Sequence, residues 1–215
     1  MTENPHYLDS IHPLIEVLDR KAAKHEAPLI IALDGKSGSG KSTIADALQD
    51  HLDLAKLPLD DFFSATIPDR EWDTLSIEAR RSHVFEWDRF IHECLEPLRK
   101  GRTAKWQAFD FASGREPDGT YGLESKEKRL DPAPIVLVDG AYSSAPELAE
   151  YIDVTVLVKA PKDERLDRLR KRDGVEFSEN WHRRWEAVED YYFEAIRTEN
   201  DFDFVIPESH LVIRI

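Results

Sequence analysis

Cysteine and methionine each occur once in the 215 residues, at Cys94 and Met1. One cysteine cannot close a disulfide within the chain, which fits a reducing compartment. It lies in the apolar pattern FIHECLEPL, where a packed core thiol is the expected reading. No stretch approaches the ~18 apolar residues of a membrane span. The opening MTENPHYLDSIHPLIEVLDRKA has no basic start followed by a long apolar run, so it does not read as a secretory signal and a cytoplasmic location is expected. A basic excess is absent too: 29 Lys plus Arg face 43 Asp plus Glu, a net charge of -14. That argues against general binding to nucleic acid or to an anionic membrane, although a local basic patch can still hold a phosphate. The 8 histidines are scattered without metal-ligand spacing, so no zinc site is expected.

The hydrophobic share of 41% and charged share of 33% are those of an ordinary globular chain, and the length suits one domain with a real core. Residues 8 to 25 carry apolar positions at helical spacing (Leu8, Ile11, Ile15, Leu18, Ala22) and predict a leading amphipathic helix. LIIALD (29–34), PIVLVDG (134–140) and IDVTVLVKA (152–160) are continuous apolar runs of the kind found in parallel strands buried on both faces. LAKLPLD (54–60) reads as a further strand, weakened by Pro58, and FDFVI (202–206) as another; the closing LVIRI is a weak candidate for an edge strand. Helices are expected after the glycine-rich loop, at about 76–100, 162–173 and 179–197. The polar, turn-rich segment 103–130 suggests a hairpin-like insertion on the substrate side, and 162–175 a helical lid. Strands alternating with helices predict a single α/β domain over 1–215, its core running strand, loop, helix, strand over 29–60.

Between the first strand and its helix lies Gly35-Lys36-Ser37-Gly38-Ser39-Gly40-Lys41-Ser42-Thr43, which fits the phosphate-loop pattern G-x-x-x-x-G-K-[ST]. Glycines let successive N–H groups turn inward around phosphate oxygens, and the following helix adds its positive dipole end. Lys41 would neutralise the β- and γ-phosphates and Ser42 would ligate Mg²⁺, so a nucleoside triphosphate is the expected ligand. Asp139, at the end of IVLVD, is the better candidate for the metal; Asp60 and Asp61, after the 54–60 strand, are candidates for the base toward an acceptor hydroxyl. Which of the two faces the phosphate stays open, since neighbours on a strand point to opposite sides. Arg165, Arg168 and Arg172 fall at i, i+3 and i+7 on one helix face and could close over the transferring phosphate. Trp181, Trp185, Val188 and Tyr192 form a stripe that reads as core.

Taken together these segments resemble the uridine kinase-like branch of P-loop kinases, a group related to phosphoribulokinase and bacterial pantothenate kinase. IALDGKSGSGKST resembles its opening strand and loop, LDDFF its D-S-F-Y segment, FEWDRF its sugar-holding segment, FDF (109–111) its Y-D-F hairpin motif, VDG its V-E-G, and RLDRLRKRD its arginine lid. The resemblance implies a three-layer P-loop NTPase fold with a mainly parallel sheet, a hairpin-like insertion and a helical lid. It also implies an ATP- and Mg²⁺-dependent kinase of a small hydroxyl-bearing metabolite, a nucleoside or something of similar size. On the matching positions Asp60 is the base toward the acceptor, Glu86 and Phe109 face the acceptor, and Asp139 stands for the metal-associated Glu. Where uridine kinases carry a Tyr and a His that read the pyrimidine, this chain has Phe109 and Gly114. The triphosphate half of the site therefore matches the family while the acceptor half differs. A regulatory ATPase with no small-molecule acceptor is the alternative, no N-K-x-D guanine-reading motif is present, and a homo-oligomer is left open.

Overall fold

LIIALD folds as β1 (Leu29–Asp34), and all six of its residues are buried because both faces of the strand are covered. In the computed structural model, which describes residues 5–112, 116–174, 179–207 and 212–213, β1 lies between two parallel neighbours. They are β5 (Ile135–Asp139), registered Leu29 to Ile135 through Leu33 to Asp139, and β6 (Val154–Val158), registered Ile31 to Val154 through Asp34 to Leu157. β2 (Leu54–Pro58) pairs with β5 and β7 (Phe204–Ile206) with β6, both parallel, and β8 (Val212–Ile213) adds an antiparallel edge. The strand order is β2-β5-β1-β6-β7-β8. Chain order reverses at β1, so the crevice beyond the carboxyl ends of β1 and β5 is where a ligand site is expected in such a sheet.

The period-2 alternation of the strands feeds two cores. On one face Ile31, Leu33, Leu137 and Val156 pack against Ile11, Leu14 and Leu18 of α1 (Pro5–Ala22) and Ile44 and Leu48 of α2 (Lys41–Gln49). On the other, Ile30, Val136, Val138 and Leu57 meet Phe62, Phe90, Leu95, Val188 and Tyr192. Helix, sheet, helix is thus the layering. Cys94 is buried in the second core, where burial pushes its thiol up and away from reactivity.

After β2 the chain enters a 3-10 turn, Leu59–Phe62, and then α3 (Asp69–Trp72) and α4 (Ile77–His83). α5 (Trp87–Phe90) runs through a π segment, Ile91–Leu95, into α6 (Glu96–Arg99). The helix expected over 76–100 is therefore broken at 84–86. There Val84 O accepts from Ser64 N–H at 2.9 Å, and Glu86 N–H donates to Phe62 O at 2.9 Å, so these residues pair with the 62–64 segment instead. The strand expected over 54–60 stops at Pro58, whose ring removes the next ladder donor. β3 (Ala104–Phe109) and β4 (Leu123–Leu130) form a separate antiparallel ribbon. α7 (Lys162–Asp173) and α8 (Glu179–Tyr191), continued by a π segment Tyr192–Ile196, complete the fold. Among the described residues no helix is long and apolar enough to cross a membrane.

Candidate active site

The loop between β1 and α2 needs glycine for both conformation and space. Gly35 has φ 149° and Gly38 φ 77°; a Cβ at Gly35 would lie 2.3 Å from Val158 O, and one at Gly38 2.6 Å from Arg165 O. The loop is thus wedged against the end of β6 and the start of α7. Gly38→Ala is expected to abolish triphosphate binding while the purified protein stays folded, a result that calorimetric titration with an ATP analogue would check. Lys41 folds back over the loop, its Nζ donating to Gly35 O at 2.8 Å and Lys36 O at 3.3 Å. Ser42 Oγ donates to Asp139 Oδ2 at 3.2 Å.

Three acids that the sequence did not single out hold this loop in place. Asp34, fully buried at the end of β1, accepts from Gly35 N–H at 2.7 Å, Tyr142 N–H at 2.8 Å, Ser144 N–H at 3.0 Å and Oγ at 2.6 Å, and Tyr192 Oη at 2.9 Å. Glu189, buried on α8, accepts from Ser37 N–H at 3.0 Å and from Ser37 Oγ; burial pushes its carboxyl up, and the Ser37 bonds pull it back in part. The next residue, Asp190, pairs with Lys36. Lys36 is thereby tied to α8, on the outside of the loop.

The three arginines of α7 divide. Arg165, buried, donates to Ser37 O at 3.0 Å and lies 3.5 Å from Glu186; Arg168 donates to Gly38 O at 3.3 Å and pairs with Glu164. Both brace the loop backbone. Arg172 is exposed, pairs with Asp173 at 2.6 Å and acts electrostatically on Asp60.

Asp60 and Asp61 part company in the 3-10 turn. Asp61 accepts from Trp106 Nε1 at 2.7 Å and from Lys128 Nζ at 3.0 Å, fastening the β3–β4 ribbon to the sheet. Removing that anchor leaves a buried indole donor unpaired, so Asp61→Ala is expected to lower stability by about 2 kcal/mol, read by chemical denaturation. Asp60 turns the other way, into the cleft beside Lys41 and Asp139, because Pro58 and Asp139 are partners in the β2–β5 register. Water reaches it, but protein surrounds it on most sides. This desolvation pushes its carboxyl above the ordinary range; Lys41 opposes the shift and Asp139 adds to it. Asp139 is raised by the same cause, with Lys41 and the Ser42 hydrogen bond opposing.

A cavity of about 190 Å³ opens beside Asp60 and Arg172, with aromatic walls that include Phe63, Tyr142, Trp181 and Trp185. The Trp181–Trp185 stripe thus serves as cavity wall as well as core. Phe109 stands behind this wall, its ring 5.2 Å from Phe63 and 4.4 Å from Phe111, and lines an adjoining cavity that shares Phe111, Arg172 and Trp181 with the first. Glu86 does not line it either: with its N–H on Phe62 O and its carboxylate accepting from Arg89, it borders a neighbouring groove. Gly114 lies outside the described residues.

The residues present fit a triphosphate and a hard divalent cation. Glycines clear a backbone cradle at the N-terminus of α2, Lys41 caps it, and one hydroxyl and one carboxylate (Ser42 and Asp139) make the sparse protein donor set that Mg²⁺ accepts. The model of the AAA domain family matches residues 31–189. Uridine kinase of Borrelia duttonii (strain Ly) is 24% identical over 189 residues, covering 84% of this chain and 86% of that protein. Uridine kinase of Staphylococcus aureus (strain JH9) is 26% identical over 202 residues, covering 86% of this chain and 89% of that protein. The solved structure of a possible uridine kinase from Bacillus stearothermophilus superposes with a TM-score of 0.58 at 16% identity, over 90% of this chain and 98% of that one, and so shares the fold. The chain belongs to the AAA domain family of P-loop proteins, and the curated relatives it resembles are uridine kinases.

Proposed function

We propose that this protein transfers the γ-phosphoryl group of ATP, with Mg²⁺, to a hydroxyl of a small metabolite bound in the aromatic cavity. The observation that carries this reading is that Asp60, which lines an aromatic-walled cavity, also lies within electrostatic reach of Lys41 and Asp139 at the phosphate loop. A hydrolase or switch needs no such room beside its phosphate loop.

In the transfer, the acceptor oxygen bonds to the γ-phosphorus as the bond to the bridging β–γ oxygen breaks, and ADP leaves with that oxygen. Asp60 accepts the hydroxyl proton, and a carboxyl raised by desolvation is a better base near neutral pH than an ordinary one. Lys41 exchanges its two loop carbonyls for β- and γ-oxygens, and Arg172 has the freedom to reach the transferring group. Ser42 and Asp139 would hold Mg²⁺, which supplies charge neutralisation on the β- and γ-oxygens. Arg165, Arg168 and Glu189 keep the loop in shape. With its charge of -14 the chain suits a small acceptor rather than a polynucleotide.

The test is ADP release from Mg-ATP across nucleosides, free sugars, pantothenate and ribulose phosphate. Stimulation by one of them above the rate in water supports the proposal. Slow release that no compound stimulates, with ATP still bound, favours the regulatory ATPase instead.

A further inference from the structure

α7 ends on an acid, where the helix dipole disfavours one. Asp173 is its last residue, and Gly174 stops the helix with φ 54°. A carboxylate there faces the negative end of the dipole and needs donors to hold it. Asp173 has two: its Oδ1 accepts from Arg172 Nε at 2.6 Å, and its Oδ2 lies 3.0 Å from Nε2 of His182 on α8. The Asp173 and His182 side chains are 21% and 14% exposed, whereas that of Arg172 is 69% exposed. Neighbours in a helix do not ordinarily face each other, so the Arg172–Asp173 contact depends on how the carboxylate is turned. The bond to His182 fixes that turn.

His182 is itself placed by the rest of α8. With Glu186, Glu189 and Asp190 it falls at i, i+4, i+7 and i+8, on one face of the helix. Glu186 pairs with Lys162 at 3.1 Å and with Arg165 at 3.5 Å, Glu189 grips Ser37, and Asp190 pairs with Lys36. One helix face therefore holds both ends of α7 and the phosphate loop in a fixed relation.

Arg172 is the arginine that needs such a hold. Arg165 and Arg168 are committed to loop carbonyls, while Arg172 lines the cavity that Asp60 and His182 also line. An exposed arginine has many rotamers, and that freedom must be lost before its guanidinium can act on a developing charge. The bond from Nε to Asp173 takes up part of this loss in advance, and it uses one of the five guanidinium donors.

We infer that His182 is a positioning residue for phosphoryl transfer: by fixing the Asp173 carboxylate it holds Arg172 at the cavity, where that arginine stabilises the transferring group. The inference rests on the kinase reading above. It is tested on the full chain by steady-state kinetics with Mg-ATP and the member of the acceptor panel above that the parent turns over fastest. His182→Ala is expected to lower kcat roughly tenfold, while the acceptor KM and the affinity for a non-hydrolysable ATP analogue stay within about twofold of the parent. His182→Gln keeps a donor near the Nε2 position and should retain most of the parent kcat. Arg172→Ala should lose more than His182→Ala does. In that background His182→Ala should cost nothing further, because its effect passes through Arg172. Asp173→Asn should lower kcat in the same way, and it carries the same cycle if the His182 variant fails to fold. Unaltered kcat in the folded His182→Ala protein, a change in acceptor KM alone, a full additional loss in the Arg172→Ala background, or no rescue by His182→Gln would overturn the inference while the parent still transfers phosphate. Absence of transfer by the parent to any acceptor would overturn the kinase reading and this inference with it.

Discussion

Asp60→Asn is expected to lower phosphoryl transfer by roughly 10²–10⁴-fold, the usual contribution of a positioned general base. Triphosphate binding should survive, since the amide keeps the shape of the carboxylate and the loop contacts of Lys41 lie elsewhere. The substitution has a second, opposite consequence. Desolvation in the cleft raises the Asp60 carboxyl above its ordinary value of 3.8, with Lys41 only partly offsetting. The folded protein then holds this proton more tightly than the unfolded chain does, so stability falls as pH rises from the ordinary carboxylate range through the raised folded value. At neutral pH the ionised Asp60 is a net cost to folding. The Asn variant removes that cost, so its ligand-free Tm should exceed that of the parent at pH 7 and change less between pH 4 and 7. The parent's transfer rate should rise with pH over the window in which Asp60 loses its proton. A variant with full activity would remove Asp60 from the mechanism, and one with lower Tm would show that Asp60 stabilises the fold.

Lys41→Ala is expected to cost on the order of 10³-fold or more in kcat/KM for Mg-ATP, because the ammonium is the one loop cation free to exchange a backbone partner for phosphate oxygens. Lys36 cannot substitute: Asp190 holds it against α8. Arg165 and Arg168 are spent on the carbonyls of Ser37 and Gly38. Steady-state kinetics with any acceptor that the parent uses, together with a circular dichroism spectrum matching the parent, checks this. Retention of a tenth or more of the parent activity would show that another cation carries the charge.

The sheet was legible because parallel strands buried on both faces must be apolar throughout. LIIALD, IVLVD and VTVLV therefore stand out with no periodicity to interpret. The phosphate loop was legible because its backbone geometry admits few residues at 35 and 38. What escaped the sequence are residues whose meaning lies in their partners. Asp34 reads as the last residue of a strand, yet it accepts hydrogen bonds from residues 35, 142, 144 and 192. Glu189 and Asp190 read as ordinary acids on an amphipathic helix, and only the packing of α8 against the loop brings them to Ser37 and Lys36. The tryptophans at 181 and 185 carry one hydrophobic stripe, and a stripe looks the same whether it faces a filled core or a cavity. Glu86 and Phe109 were assigned to the acceptor by resemblance; the sequence does not reveal that Glu86 pairs with the 62–64 segment or that Phe109 packs on Phe111 beside the adjoining cavity. The positive φ of Tyr142 has no signature in a residue type that normally avoids it.

The most direct measurement is the fate of the γ-phosphorus of Mg-ATP, followed by ³¹P NMR with the acceptor that best stimulates ADP release. A new phosphomonoester resonance growing in step with ADP, and absent with Lys41→Ala, is the predicted result. Growth of inorganic phosphate alone, at a rate independent of any acceptor and unaltered by Asp60→Asn, would contradict phosphoryl transfer to a bound hydroxyl.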